Sequence, residues 1–326
     1  MRHVWRLGAL GVLGLLLLLA FYRHERVSAI PGAPIAILPL DLPQAGEEAS
    51  AMRVSGLWEI DSEDPAIGGY SALLVLGGQL RAFSDHGHRI TFARPNRSLE
   101  NAPTHDNVWD RGPLRRFAPD IEAATRDPAT GDYWLAFEER HALIRFDIAS
   151  AYVASREPPE WREWPHNSGA EAIARFGDGR FVVLPETLLT GFLYPADPTS
   201  ERIEPRAFAF TLPDDYHPTD MAQLPDGRLL VLLRKLAPGW PFFSGALGIA
   251  DIATLDEADS LEVRLLTRLD SMLPRENWEA LGVDPADAEG SGLAIWVMSD
   301  DNFSPIQRTL LARLEWTPTR EKGAGP

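Results

Sequence analysis

One recurrence constrains the fold of this chain more than any other feature. An acidic or small polar residue introduces a short apolar stretch at Ser71, Glu122, Glu171, Asp220 and Glu279, in steps of 51, 49, 49 and 59 residues. Each stretch continues through a glycine-containing turn into a second apolar run, as in GAEAIARFGDGRFVVLPE (Gly169 to Glu186) and PTDMAQLPDGRLLVLLRK (Pro218 to Lys235). The apolar residues lack the i, i+3, i+4 spacing that a helical repeat needs. A strand-built period of about 50 residues is that of a β-propeller blade. Such a sheet buries its faces only against its neighbours, so the ring must close.

The other repeats read the same way: GYSALLVLGGQLRAFSD from Gly69, DIEAATRDPATGDYWLAFEE from Asp120 and NWEALGVDPADAEGSGLAIWVMSDD from Asn277. Gly77-Gly78, Gly131-Asp132 and Asp226-Gly227 mark turns between first and second strands, because glycine accepts positive φ. Third strands are expected at His88 to Arg94, Ala142 to Asp147, Gly191 to Tyr194, Ala246 to Ala250 and Thr309 to Trp316, and fourth strands at Ala207 to Leu212 and Leu261 to Leu269. The alternating segment MRVSGLWEID, Met52 to Asp61, precedes the first repeat and is expected to complete the last blade. The fold class is thus all-β: one propeller of antiparallel strands, closed by the N-terminal strand. Five blades follow from the repeats, and six if Pro95 to Pro119 or Leu236 to Leu273 hides another.

With 326 residues and 45% hydrophobic content the chain can build one large core, read here as residues 52–317. Residues 318–326 read as a disordered tail and 30–51 as a linker rich in Pro, Ala and acids. At the N-terminus Arg2 and Arg6 precede an apolar run from Leu7 to Tyr22. Residues 1–29 are therefore expected to act as a signal peptide or as an inner-membrane anchor through residues 7–22. Either role makes the domain periplasmic or extracellular. Cysteine is absent, which excludes thiol catalysis and disulfides in this chain. A net charge of −16 argues against nucleic acid as a partner and suits cations. The expected state is a monomer.

In a propeller, equivalent residues of successive innermost strands form a ring about the axis. Glu122, Glu171, Asp220 and Glu279, with Ser71 as a fifth member, are candidates for one ring. Converging carboxylates need a cation, a proton or an arginine, and Ca²⁺, which takes six to eight oxygens, is the natural hard ligand. Capping of turns and acceptance of backbone N–H groups is the structural alternative. A second ring is expected where second strands run out: Asp85, Glu138 with Glu139, Glu186, Arg234 with Lys235, and Asp300 with Asp301. His86, His88, His105 and His217 are weaker metal candidates. Trp58, Trp134, Trp278 and Trp296 read as core. No G-x-S-x-G, H-E-x-x-H or P-loop motif occurs.

GGYSALLVLGGQLRAFSDHG, DIEAATRDPATGDYWLAFEE, GAEAIARFGDGRFVVLPE, the NWEA segment and SDDNFSPIQRTLLARLEW resemble the phytase-like family described as having esterase-like activity. The likeness runs from about Gly56 to Trp316 and implies an exported bacterial propeller with ester or phosphoester hydrolysis as its nominal activity. DSEDPA, Asp61 to Ala66, is similar to an acidic stretch of calcium-dependent propeller phytases, in which metal-held carboxylates activate water. This chain has Ser62 and Glu63 in the middle of that stretch and lacks a lysine-rich phosphate clamp.

Together these readings predict a divalent-metal-assisted hydrolase acting on a small anionic or ester substrate at the channel mouth. Glu122, Glu171, Asp220 and Glu279 would hold metal; Glu186, Asp300 and Asp301 would serve as catalytic groups; Arg234, Lys235 and Arg308 would bind the substrate. A non-catalytic periplasmic binding or scaffold propeller is the alternative, and a lactonase-like metal propeller a third.

Overall fold

The computed structural model describes residues 30–43, 52–95, 102–108, 119–166, 168–284 and 292–317. The readings of residues 1–29 and 318–326 lie outside the described residues. Among the described residues no helix is long and apolar enough to cross a membrane.

Two N-terminal strands, β1 (Ala36–Pro39) and β2 (Met52–Asp61), precede the repeats. The first blade is β3 (Tyr70–Leu76), β4 (Gln79–Ser84), β5 (His88–Ala93) and β6 (Thr104–Asn107). The second is β7 (Ile121–Arg126), β8 (Tyr133–Phe137), β9 (Ala142–Phe146) and β10 (Tyr152–Arg156). The third begins with β11 (Ala170–Arg175), β12 (Phe181–Pro185), β13 (Thr190–Tyr194) and β14 (Arg206–Thr211). Then come β15 (His217–Gln223), β16 (Leu229–Leu236) and β17 (Phe243–Ala250) of the fourth, the short helix α1 (Ala253–Ala258), β18 (Ser260–Glu262) and β19 (Arg264–Arg268). β20 (Asn277–Asp284), β21 (Leu293–Asp300) and β22 (Leu310–Trp316) begin the fifth.

The ring has five blades, and among the described residues neither stretch held open for a sixth forms one: Thr104–Asn107 is the outer strand of the first blade, and Leu236 to Leu273 supplies strands to existing blades. The innermost strands β3, β7, β11, β15 and β20 follow one another around the axis, and β20 returns to β3. The last sheet runs β1-β2-β22-β21-β20, so N-terminal strands finish the C-terminal blade as the sequence predicts. Part of the 30–51 segment read as linker belongs to that sheet, since β1 pairs with β2 antiparallel. The expected fourth strand Leu261 to Leu269 is divided between two blades: β18 adds parallel to β14 of the third, and β19 adds antiparallel to β17 of the fourth.

Blades adhere through apolar faces. Trp58 and Trp296 stack at 5.8 Å within the closing sheet, in a cluster that also holds Leu73, Val75 and Ile90 of the first blade. Trp278 is fully buried between the fourth and fifth blades. Burial of each such side chain stabilises by roughly 1.5–3 kcal/mol, which is what holds the ring shut.

Candidate functional site

Each innermost strand carries a β-bulge at the same place. Pairing with the second strand skips one residue between Tyr70 and Ala72, Ile121 and Ala123, Ala170 and Ala172, Pro218 and Asp220, and Trp278 and Ala280. The skipped residues are Ser71, Glu122, Glu171, Thr219 and Glu279. Bulges re-aim a side chain, and they are common beside active sites. The acidic ring therefore has Thr219, not Asp220, as its fourth member. Asp220 is one step out of phase and, because strand side chains alternate, takes another direction. It is fully buried, and its two oxygens accept the Met221 and Leu281 backbone N–H groups at 2.8 and 2.7 Å. It ties the fourth blade to the fifth and does not line the mouth.

The same register identifies the second ring. The second-strand residues opposite the one before each bulge are Ser84, Phe137, Pro185, Leu233 and Ser299. One residue further on stand Asp85, Glu138, Glu186, Arg234 and Asp300. A cavity of about 220 Å³ is lined by Ser71, Asp85, Glu122, Glu138, Glu171, Glu186, Arg234, Glu279, Asp300 and Asn302. Two register-equivalent rings thus place seven carboxylates and one guanidinium at one mouth of the channel.

Arg234 spans these acids. Its guanidinium pairs with Glu279, donates to Glu186 Oε1 at 3.2 Å and donates to Asn277 Oδ1 at 3.0 Å. Three of the residues read from sequence as substrate or catalytic groups lie elsewhere. Asp301 Oδ1 accepts the Gly69 and Phe303 N–H groups, both at 2.9 Å, and its Oδ2 accepts the Thr309 hydroxyl. The Lys235 ammonium stands 4.5 Å from the Tyr216 ring centre. Arg308 is largely exposed and donates to Glu276 at 2.7 and 2.9 Å. Lys235 and Asp301 each follow a lining residue by one step, and Arg308 lies in the loop between β21 and β22.

Charge crowding shows in the acidities. Burial first, then Glu171, Glu279, Asp120 and Glu138, raises the Glu122 carboxyl well above its usual range. Burial, Glu186, Glu138 and Glu279 raise Glu171 likewise, with Arg234 opposing. Burial, and to a lesser degree Glu279, Asp301 and Asp85, pushes Asp300 up to about 8, although the Asn302 N–H lowers it. Glu138 rises to about 7 through burial, Asp120 and Glu186, against the Gly169 N–H and His166. Burial takes Asp85 to about 6, with Asp120 and Glu279 adding to it and His86 opposing. Raised in this way, these groups hold protons that a bound cation would displace, because only the ionised carboxylate ligates.

Asp120, Glu122 and Glu138 place one carboxylate oxygen each within 4.8 Å of one another. The local fold explains the cluster. Asp120 O accepts the Glu138 N–H at 2.8 Å and Asp120 Oδ2 accepts the Glu139 N–H at 3.0 Å, so the end of the β7-β8 ladder draws the three acids together. Gly169 packs so closely on Glu138 that an added Cβ would meet its Cα at 2.8 Å, and the Gly169 N–H donates to Glu138 Oε1 at 3.0 Å. The sequence reading missed Asp120, although the D-x-E spacing of Asp120 and Glu122, two apart at a strand start, signals it. Asn302 and Thr219 were missed as well. The donor set is oxygen alone, which suits a hard divalent cation. One buried oxygen of the lining, Asp85 Oδ1, has no hydrogen-bond partner among the described residues.

The histidines lie outside the cavity lining. His88 Nδ1 and His105 Nε2 are 3.0 Å apart, His86 stacks on Phe303, and His217 Nδ1 is 3.1 Å from the Glu186 carbonyl. Asp64, within the DSEDPA stretch, is committed to backbone, accepting the Gly32 and Ala66 N–H groups. Trp58, Trp134, Trp278 and Trp296 are buried, as expected.

Fold and mouth define a five-bladed propeller with an acidic axial pocket. The chain belongs to the phytase-like family described as "Esterase-like activity of phytase", whose family model matches residues 65–303. No curated protein matches the chain. Solved structures similar to it include a luciferin-regenerating enzyme, 12% identical, covering 87% of this chain and 95% of that one with a TM-score of 0.45. Myxococcus xanthus glutaminyl cyclase is 10% identical, covering 82% and 97%, with a TM-score of 0.48. At such similarity neither bears on the chemistry of this pocket.

Proposed function

We propose that the acidic mouth hydrolyses an ester, phosphoester or carboxyl, with the help of a divalent cation for which Ca²⁺ is the best chemical match. The observation that carries this reading is the pair of register-equivalent rings, which gathers seven carboxylates where one arginine is already shared between Glu186 and Glu279. Asp120, Glu122 and Glu138 would hold the ion, with Glu171 and Asp85 facing the same space. A bound cation would supply Lewis-acid polarisation of the ester oxygen and a more acidic water. Asp300 and Glu138, with acidities near 8 and 7, are suited to take or give a proton around neutral pH. Glu186 and Arg234 form the opposite wall. Arg234, held by Glu279, can turn its remaining donors to an oxyanion.

The end of β16 and the loops following β12, β16 and β21 leave the same end of their blades as Glu186, Arg234 and Asp300, and they expose Leu188, Leu189, Leu236, Trp240, Phe242 and Ile306. An apolar rim over a pocket without lysine favours an ester carrying an apolar group over a polyphosphate. An exported location, periplasmic or extracellular, and attachment through residues 7–22 follow from the apolar N-terminal run and remain part of this proposal.

The test is calorimetric titration of Ca²⁺ together with turnover on a panel of carboxyl and phosphate esters, for wild type and for Glu122→Gln with Glu138→Gln. Loss of both metal binding and turnover in a folded double variant is expected. Equal turnover in chelator and calcium, or a fully active double variant, would refute the assignment and leave the scaffold alternative standing.

A further inference from the structure

The channel has a second mouth with the opposite character. A cavity of about 600 Å³ opens there, within the size range of small-molecule sites. Counting four residues on from each bulge along the innermost strands reaches Val75, Arg126, Arg175, Gln223 and Val283, of which Val75 and Val283 join Met221 and Leu281 as apolar wall. Seven carboxylates ring one end of the axis; arginines on an apolar surface ring the other.

Most of the charge at this end is committed. Arg175 is 2.9 Å from Asp127 Oδ2 and donates to the Phe176 carbonyl, and Arg94 is paired with Asp284. Arg126 differs. It is half-buried, it lines the cavity, and among the described residues it has no hydrogen-bond or ion-pair partner. Burial lowers its pKa and the nearby Arg94 adds to the effect, with Asp284 and Asp127 opposing. A half-buried guanidinium without a partner loses part of its hydration uncompensated, and a bidentate carboxylate or phosphate is its natural complement.

We infer that this second mouth binds a small organic anion: one carboxylate or phosphate monoester group on Arg126, with an apolar body against Val75, Met221, Leu281 and Val283. Among the described residues, Arg94, Arg126 and Arg175 against Asp284 and Asp127 leave one positive charge, which selects a single anionic group. The site is separate from the acidic mouth and stands whether or not that mouth is catalytic.

The experiment is calorimetric titration of the full chain with hexanoate, hexyl phosphate, inorganic phosphate and hexanol. Hexanoate or hexyl phosphate is expected to bind saturably, with hexanol at least about tenfold weaker for want of the charge-assisted contact and inorganic phosphate at least about tenfold weaker for want of the apolar body. Arg126→Gln should weaken the anion about tenfold or more. Gln223→Glu is the second variant. It keeps an acceptor for the Gly177 N–H, which Gln223 Oε1 accepts at 2.9 Å, while adding a negative charge to the cavity, and it should weaken binding similarly. Glu138→Gln at the other mouth should leave binding unchanged. Absence of saturable binding by both amphiphiles, equal binding of hexanol, equal binding of inorganic phosphate, or unaltered affinity in both Arg126→Gln and Gln223→Glu would each overturn the proposal.

Discussion

Replacing Glu138 by Gln should make the metal-free protein more stable at alkaline pH while removing a metal ligand. Burial and the neighbouring Asp120 and Glu186 charges raise this carboxyl to about 7, so folding takes up a proton. A carboxyl raised in the folded state contributes its stabilisation in full below the unfolded value near 4.3 and loses it as pH rises through 7. Integrated from pH 5 to pH 8, that linkage is about 2.5 kcal/mol for one group, and about 2 kcal/mol after allowing for solvent screening at the pocket mouth. Glutamine is neutral, of the same size, and keeps an acceptor for the Gly169 N–H. The Tm advantage of Glu138→Gln over wild type should therefore widen by about 4–8 °C between pH 5 and pH 8, at 2–4 °C per kcal/mol for a domain of this size. Thermal melts in chelator at the two pH values measure it. Saturating Ca²⁺ should reverse the order, because ligation rewards only the ionised side chain. A variant no more stable than wild type at pH 8 in chelator would refute the argument that the mouth is strained by its own charge.

Asp220→Asn replaces an acceptor by an amide that faces a backbone N–H, and should cost about 1–3 kcal/mol in urea unfolding with Ca²⁺ affinity preserved. Loss of Ca²⁺ affinity at unchanged stability would instead return Asp220 to the metal set. Arg234→Met leaves Glu279 and Glu186 without their shared cation and should lower stability by about 2–4 kcal/mol in chelator, with Ca²⁺ restoring more of it than it adds to wild type. Deleting residues 1–61 removes β1 and β2 from the closing sheet, exposes the edge of β22, and should abolish a cooperative melt; a sharp transition in that truncation would show that the ring closes without them.

Much of the fold was readable because propeller physics repeats. The period, the Gly77-Gly78 turn, the third strands and the pairing of Met52 to Asp61 with the chain's end all follow from alternation and from the need to cover an edge. The outer strands were less legible. Nothing in Leu261 to Leu269 announces that Val263 parts two short strands serving different blades, since that depends on which edge lies nearer in space. The second ring was visible as charged residues after each second strand, yet in Arg234-Lys235 and Asp300-Asp301 the choice between neighbours awaited the strand parity.

What the sequence by itself determined is the repeating strand grammar, the closure by N-terminal residues and the gathering of acids toward one mouth, because these depend on residue types recurring at fixed spacing. What only the tertiary structure decided is phase and partnership. A bulge shifts the ladder by one residue, so Thr219 rather than Asp220 completes the ring, while Asp120, 18 residues before Glu138, meets it only across the β7-β8 ladder. Hydrogen-bond register between strands sets that phase, and register is a property of two segments brought together, which neither segment carries alone.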